Sequence, residues 1–335
     1  MDATSVAEPA GARFGDNTSL GSNGLRKGAR GKRRLWIGLA TIGFIALLQL
    51  SISRKGPEAE DLRAELADRA KIEGLALFQC PFQVAYLDSP DHVEYLKVDP
   101  AAEIAAVAPD GEHLGVVTGR IGGGEPLVLL QSLDGTTERS VERSGDCCDI
   151  APNLSKLALR GPPTQILDLT KAGGPKIPIA DSRVRGAITW GPDSELFAFE
   201  TSFIYIYDLR NGESRRIADG SRPAWSPDGR WIAFRSPGGD AMIVGPEGGV
   251  PRCLMKGEKV VGGFGWSPDS HYLLYAREYR VQIPRGSLGY LGVYRMRDGA
   301  RCHILECGFK GMQDPETYGW IRHCEKIRKR TPPLS

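Results

Sequence analysis

The sequence predicts an all-β fold: a six-bladed β-propeller with a composite closing blade built from both chain ends, preceded by one transmembrane helix and a short helical stalk. Three observations predict it. A Pro-Asp or Pro-Asn turn followed by a short apolar run recurs at Pro109, Pro152, Pro192, Pro227 and Pro268, in steps of 43, 40, 35 and 41 residues. The runs are short and broken by Gly, Pro and Asp, with no amphipathic 3.6-residue period, so the unit is a strand hairpin and not a helical repeat. A period near 40 with a hairpin in each unit is the signature of a four-stranded blade.

The clearest copy is WSPDGRWIAF, Trp225–Phe234. Pro227 fixes φ for the second position of a tight turn, and Asp228 and Gly229 suit the positions after it. Trp231, Ile232, Ala233 and Phe234 are β-prone and apolar. Related stretches are APDGEHLGVV from Ala108, APNLSKLALR from Ala151, GPDSELFAF from Gly191 and SPDSHYLLY from Ser267. They supply five blades, starting near Ala101, Gly145, Arg185, Ser221 and Val260.

The sixth blade is expected from the ends. FQVAYLD, from Phe82, and VEYLKV (Val93–Val98) read as outer strands. TYGWI (Thr317–Ile321) reads as a first strand, and EKIRKRT as a poor second one. Outer strands from residues 82–98 and inner strands from 317–331 would close the ring and remove its open edges. Seven blades would need strands the sequence does not offer, and five would leave both ends unused.

Residues 1–34 form a tail that ends in a basic cluster, Arg26, Lys27, Arg30, Lys32, Arg33 and Arg34, after a stretch rich in small and polar residues that reads as disordered. From Leu35 to Ser53 there are 19 uncharged residues. As a helix this stretch is about 28 Å long, near the hydrocarbon thickness of a bilayer. The basic flank places the N-terminus in the cytoplasm and the propeller outside, periplasmic or extracellular. A cleaved signal peptide, with Ser51 and Ser53 before the cut, is the competing reading. Residues 54–79 read as a juxtamembrane helical stalk. Pro57 suits its first turn, Leu62, Leu66 and Ala70 share a face, and Gly74 is its stop. The propeller is expected over 80–331.

Trp225–Gly229 matches in full the Trp-Ser-Pro-Asp-Gly repeat of the TolB family of WD40-like propellers, which this sequence resembles. Trp266–Asp269 and Trp190–Asp193 match it in part, with Gly191 in place of the serine. The resemblance covers roughly residues 80–330. It implies a propeller and protein–protein contacts at the cell envelope. That family's N-terminal α/β domain has no counterpart in the short stretch between the span and the first strand.

Composition is globular, with 25% charged and 41% hydrophobic residues. The net charge of +2 owes much to the basic leader, so no nucleic-acid-binding face is expected. The recurring Trp190, Trp225 and Trp266 are expected to fill the wedge between blades, and Asp110, Asp193, Asp228 and Asp269 to bond their own turns.

The seven cysteines are dispersed. Cys302, His303, Cys307, His323 and Cys324 cluster toward the C-terminus, but Cys302 and Cys307 lack zinc spacing and, five apart on a strand, would face opposite sides. Cys80 and Cys324 would both lie in the composite blade, where a disulfide could lock it. The adjacent Cys147 and Cys148 are expected to remain thiols. RGSLG (Arg285–Gly289) lacks the first glycine of a nucleophile elbow, and no hydrolase-sized segment follows the propeller. Gly122–Gly124 is not a phosphate loop. No catalytic, cofactor-binding or metal-ligating residue is assigned, and no cofactor is expected. The insert Glu278–Gly289, with Tyr279, Arg280 and Arg285, reads as a binding loop, and the basic tail KIRKRTPPLS as a weak patch for an acidic partner.

The sequence therefore reads as a membrane-anchored, non-catalytic binder of protein or peptide. The alternatives are a propeller-type hydrolase or lactonase with a metal in the central channel, or a small-molecule or glycan sensor.

Overall fold

Among its described residues the computed structural model has one helix and twenty-four strands. It describes residues 57–322, apart from 74–75, 80–82, 88–92, 96–101, 119–126, 134–135, 143–145, 161–162, 172–174, 185–187, 284–285 and 310–317. The basic tail, the predicted span Leu35–Ser53, the glycine run Gly122–Gly124 and the chain after Arg322 lie outside the described residues. Among the described residues no helix is long and apolar enough to cross a membrane.

Helix α1 (Pro57–Glu73) leads into β1 (Ala76–Gln79), β2 (Gln83–Tyr86) and β3 (Val93–Tyr95). Five contiguous runs of four strands follow. They are β4 (Ala102–Val107), β5 (His113–Thr118), β6 (Leu127–Ser132) and β7 (Thr137–Glu142); β8 (Asp146–Ile150), β9 (Lys156–Arg160), β10 (Gln165–Asp168) and β11 (Lys176–Ile177); β12 (Ile188–Trp190), β13 (Leu196–Glu200), β14 (Ile204–Asp208) and β15 (Glu213–Ala218); β16 (Ser221–Trp225), β17 (Ile232–Arg235), β18 (Ala241–Gly245) and β19 (Gly248–Met255); and β20 (Val260–Trp266), β21 (Tyr272–Ile283), β22 (Gly286–Arg295) and β23 (Arg301–Phe309). Each run is one antiparallel sheet in chain order. Strand β24 (Tyr318–Ile321) returns to pair with β1, giving another four-stranded sheet of order β24-β1-β2-β3. The first strand of every sheet lies beside the first strand of the next, and β24 fits between β20 and β4. The architecture is an all-β propeller.

The apolar runs are buried on both faces, which is why they do not alternate with polar residues. In β13, Phe197 and Phe199 pack toward the preceding sheet with Ile166 and Trp190, while Ala198 packs toward the following one with Ile232 and Phe234. In β21, Leu273 and Tyr275 join the cluster with Ala233 and Ile243. Their neighbours Tyr272, Leu274 and Ala276 face the opposite cluster, with Trp320. This period of two is what a strand between two neighbouring sheets requires.

The closing sheet corrects the expected division of strands. Outer strands do come from 82–98, and Tyr318–Ile321 is the innermost. The second position, however, is filled by β1 (Ala76–Gln79), from within the stretch expected as stalk, and not by a second C-terminal strand. β1 pairs along its full length with both β24 and β2 (Leu77 opposite Trp320 and Ala85), so the sheet is complete with three strands from one end and one from the other.

Helix α1 is docked on the propeller. Leu62, Leu66 and Ala70 are buried in one cluster with Tyr272, Leu274, Val293, Cys302 and Trp320. The Arg295 side chain, 5% exposed, meets Asp61 at 3.1 Å and Asp298 at 2.8 Å, and also bonds Glu65. Arg69 reaches Asp269 at 2.5 Å and lies over the Tyr272 ring. Burial alone would push the Glu65 carboxyl up, but the Tyr272 hydroxyl and the Arg295 guanidinium outweigh it and hold Glu65 below its usual range. Leu66→Ala would empty a fully buried site at this seam. We predict a loss of about 2–5 kcal/mol in denaturant unfolding; an unchanged midpoint would show that α1 is not part of the cooperative core.

Candidate functional site

The repeated turn is the first candidate, because it gathers Trp, Ser and Asp in one register. Its geometry spends those groups locally. Ser226 Oγ donates to Asp228 Oδ1 at 2.7 Å and accepts from Trp231 N at 2.9 Å. Asp228 also accepts from Arg230 N at 3.1 Å and Arg230 Nε at 2.6 Å. Ser267, Asp269, His271 and Tyr272 repeat the pattern at 2.6–3.1 Å. Asp193 accepts from Glu195 N and Leu196 N, both at 3.0 Å, and Asp110 from Glu112 N and His113 N. Burial works to raise the Asp228 and Asp269 carboxyls, yet hydrogen bonds from the turn leave both below the usual range. Asp228 is satisfied by groups of its own turn, while Asp269 also pairs with Arg69 of α1.

The turns also touch one another around the rim. Ser270 Oγ accepts from Asp228 N at 3.0 Å, and Ser194 Oγ from Asn153 N at 3.3 Å. Both serines sit at positive φ (62° and 58°), where Gly229 stands in its own turn. A Cβ on Gly229 would lie 2.9 Å from Pro192 Cγ, so only glycine fits there without a shift. Arg322 N donates to Gly111 O at 2.9 Å and extends this contact to the closing segment.

The tryptophans continue this stitching. Trp266 Nε1 donates to Ala224 O at 2.9 Å, and Trp320 Nε1 to Gly265 O at 3.0 Å. One step earlier, Trp225 N donates to Thr189 Oγ1 at 3.1 Å, and Trp190 N to Asp149 Oδ2 at 3.1 Å. Asp149 stands out in this series because its acceptor is a carboxyl. Desolvation raises it to about 7, against the backbone N–H groups of Ile150 and Trp190, with no cation among the described residues to offset it. Trp190 Nε1, also buried, has no partner among the described residues.

The C-terminal cluster does not assemble a metal site among the described residues, where no three His, Cys, Asp or Glu side chains gather. Cys302 is buried, and its thiol is pushed up to about 12. His303 stacks on Tyr290 with centroids 3.5 Å apart. Burial, then the Arg63 and Arg277 charges, hold it down to about 4. A bulge alters the expected phase: Cys302 stands opposite Val293 and Cys307 opposite Gly289, positions four apart on β22. Cys80, His323 and Cys324 lie outside the described residues, as does the bridge expected between the two cysteines. Cys148 falls in a bulge between Cys147 and Asp149.

Of the expected binding loop Glu278–Gly289, all but residues 284–285, which lie outside the described residues, belongs to β21 and β22, with Glu278 opposite Gly289, Tyr279 opposite Leu288, Ile283 opposite Gly286 and an irregular register between Tyr279 and Ile283. This corrects the loop reading. Strand pairing persists because β23 extends alongside, with Phe309 opposite Ser287. Gly286–Gly289 of RGSLG is thus strand, without the strand-to-helix turn a nucleophile elbow needs.

Neither a protein-family model nor a curated protein matches the sequence. In three dimensions the chain is similar to a putative TolB from Agrobacterium tumefaciens, with a TM-score of 0.52 and 17% identity over 74% of this chain and 97% of that one. It is also similar to an oligogalacturonate lyase in complex with manganese, with a TM-score of 0.46 and 13% identity over 70% and 73% of the two chains. The likeness to the first shows the propeller fold.

Sequence reasoning missed Asp149 and Arg295. Asp149 immediately precedes the Ile150 that stands where other repeats have Trp, so alignment of the turns could have flagged a carboxylate on the innermost strand. Locally Arg295 has only Asp298 as a mark, and its other partners, Asp61 and Glu65, lie on α1. The raised carboxyl has a measurable consequence. Because Asp149 takes up protons more readily folded than unfolded, its charge favours the unfolded chain. Stability should fall as pH rises from about 4 to about 7, by at most about 4 kcal/mol at roughly 1.4 kcal/mol per unit, and level off above. Asp149→Asn should flatten that part of the profile in unfolding titrations; an unchanged slope would refute the assignment.

Proposed function

We propose that this chain is a membrane-anchored, non-catalytic β-propeller that binds protein or peptide partners on the extracytoplasmic side. Leu35–Ser53 is its single span, and its N-terminus is cytoplasmic. In this reading the sheet shared by the chain ends is a sixth, closing blade. One observation carries the proposal. The repeat side chains best able to do chemistry, Ser226, Asp228, Ser267 and Asp269, are engaged inside their own turns. Recognition then falls to surfaces where the repeats differ, as is usual for loops and extensions on a rigid scaffold. The basic leader supports the orientation. The fold likeness to a putative TolB supports the platform and leaves the partner open.

Two measurements test the proposal. The full chain should stay in the membrane pellet after alkaline extraction, and a chain lacking residues 35–53 should not; release of the full chain by alkali would overturn the anchor. Cross-linking in intact cells should give a discrete protein adduct. Absence of any adduct across cross-linkers of several lengths would count against the binder.

A further inference from the structure

Helix α1 docks at one seam of the ring, and the seam before it is built in the same register. In the fifth contiguous sheet Leu274 stands opposite Val293, and Val293 opposite Cys302. This row and Tyr272 lie in the cluster that α1 completes. In the fourth, the corresponding row is Ala233 opposite Ile243, and Ile243 opposite Arg252. Trp231 stands where Tyr272 does, each two residues after the positive-φ position of its turn, Gly229 and Ser270. Even the stacked cation recurs: Arg69 lies 5.2 Å over the Tyr272 ring, and Arg252 lies 5.5 Å over Trp231. The cover differs. Tyr272 and Cys302, clustered with α1, are each 2% exposed. Arg252 is exposed, and Trp231, Leu254, Tyr294 and Met296 are only partly buried around Ala233, Ile243 and Leu273.

The polar ends at this earlier seam are unspent. Among the described residues nothing hydrogen-bonds Trp231 Nε1 or Tyr294 Oη, and no carboxylate pairs with Arg252. By contrast, Trp266 and Trp320 donate to backbone carbonyls, and Tyr272 bonds Glu65 of α1. Arg277 and Arg301 share one acid, Glu258, at 2.5 and 2.9 Å, while Asp298 is taken up by Arg295 at 2.8 Å. Burial lifts the Tyr294 hydroxyl above its usual range, with the Arg252 and Arg301 charges acting against it, so both cations lie near that ring.

We propose that this outer seam between the fourth and fifth contiguous sheets, lined by Trp231, Arg252, Leu254, Tyr294 and Met296, docks an acidic amphipathic helix of a partner protein. The inference rests on the reading of the chain as a protein binder and names the surface. Tryptophan, tyrosine, methionine and arginine are the residue types that anchor protein interfaces. Helix α1 shows how such a seam is filled: Leu62 and Leu66 enter the apolar cluster, and Glu65 bonds Tyr272 and Arg295. Three guanidinium groups against Glu258 select an acidic occupant. The chain's own basic segments, the tail ending at Arg34 and KIRKRTPPLS, carry the wrong sign. The α1 of a second copy is engaged at its own seam.

The test uses the full chain in detergent and a displayed library of helical peptides of about 18 residues, long enough to hold a helix. Enriched peptides should carry apolar residues at helical spacing beside Asp or Glu, and should bind at micromolar Kd. Arg252→Glu should keep the unfolding midpoint and weaken binding roughly tenfold or more. Arg210→Glu, on the third contiguous sheet, should leave binding unchanged. Peptides that bind the Arg252→Glu chain equally well, or that lack acids, would overturn the seam while leaving the binder reading standing. Dimers of the full chain that Arg252→Glu disperses would give the seam to a second copy and overturn the partner helix. Enrichment of no peptide would overturn the seam, and with no adduct from the full chain in cells it would overturn the binder reading as well.

Discussion

Closure of the ring is the constraint on which the rest depends. An open stack of sheets exposes two unpaired faces, and Leu274 of the fifth contiguous sheet is buried here in the cluster that holds Trp320 of the closing sheet. The closing sheet covers both faces at once. Trp320 packs with Tyr272 of the fifth contiguous sheet, with ring centroids 6.0 Å apart, while Gly319 leaves room for Val107 of the first. The sheet itself exists only through the pairing of Ala76–Gln79 with Tyr318–Ile321, residues far apart in the chain. Long-range pairing of this kind bears its chain-closure entropy before any contact offsets it. The extra contacts at the seam then have a clear role. Helix α1 crosses it with Leu62, Leu66 and Ala70, and the same cluster takes in Leu87 and Trp320 from the closing sheet.

The rim of turns obeys the same constraint on a smaller scale. Each turn must satisfy its own backbone and also meet the next turn. Ser and Asp serve the first need, through the short bonds within Ser226–Trp231. The residue at positive φ serves the second, by reaching back to the preceding turn as Ser194 and Ser270 do. Where Gly229 occupies that position, contact with Pro192 replaces the hydrogen bond. A motif that looks chemically rich in isolation is thereby accounted for by geometry, and bonds within the turn, with Arg69 beside Asp269, hold its carboxylates below the usual range.

Much of this was legible in the sequence, because the physics involved is local. The Pro-Asp turns, the short runs after them and the near-constant step locate the strands, and the buried tryptophans follow from their register. The helical face Leu62, Leu66 and Ala70 could also be read, since its spacing is helical. What could not be read was non-local or depended on an irregularity. ALFQ at Ala76–Gln79 is too short to announce itself as a strand, and only its pairing with Tyr318–Ile321 makes it one. The Glu278–Gly289 stretch carries Pro284 and two glycines, which spoke for a loop. The pairs of Glu278, Tyr279 and Ile283 with β22 place most of it in strands nonetheless. The phase of Cys302 and Cys307 was misread because a bulge adds one residue between them. Asp149 needed knowledge of which backbone N–H of the next sheet it would meet.

Arg295 shows how the helix and the ring become one unit. Its side chain is almost wholly buried, while the carboxylates around it, Asp61, Glu65 and Asp298, keep between 26% and 67% of their exposure. The desolvation penalty therefore falls mainly on the cation, and three acids on two different elements share the task of offsetting it. A cluster of this kind adds little net stability compared with an apolar contact of the same volume. Its value lies in geometry. The guanidinium is satisfied only when α1 lies at one translation along the sheet, with Asp61 and Glu65, one turn apart, both in reach. A slide by a helical turn would leave Leu62 and Leu66 able to find apolar surface again but would strand Arg295 as a buried, half-satisfied charge. The apolar face thus holds the helix to the seam, and the buried cation fixes its register.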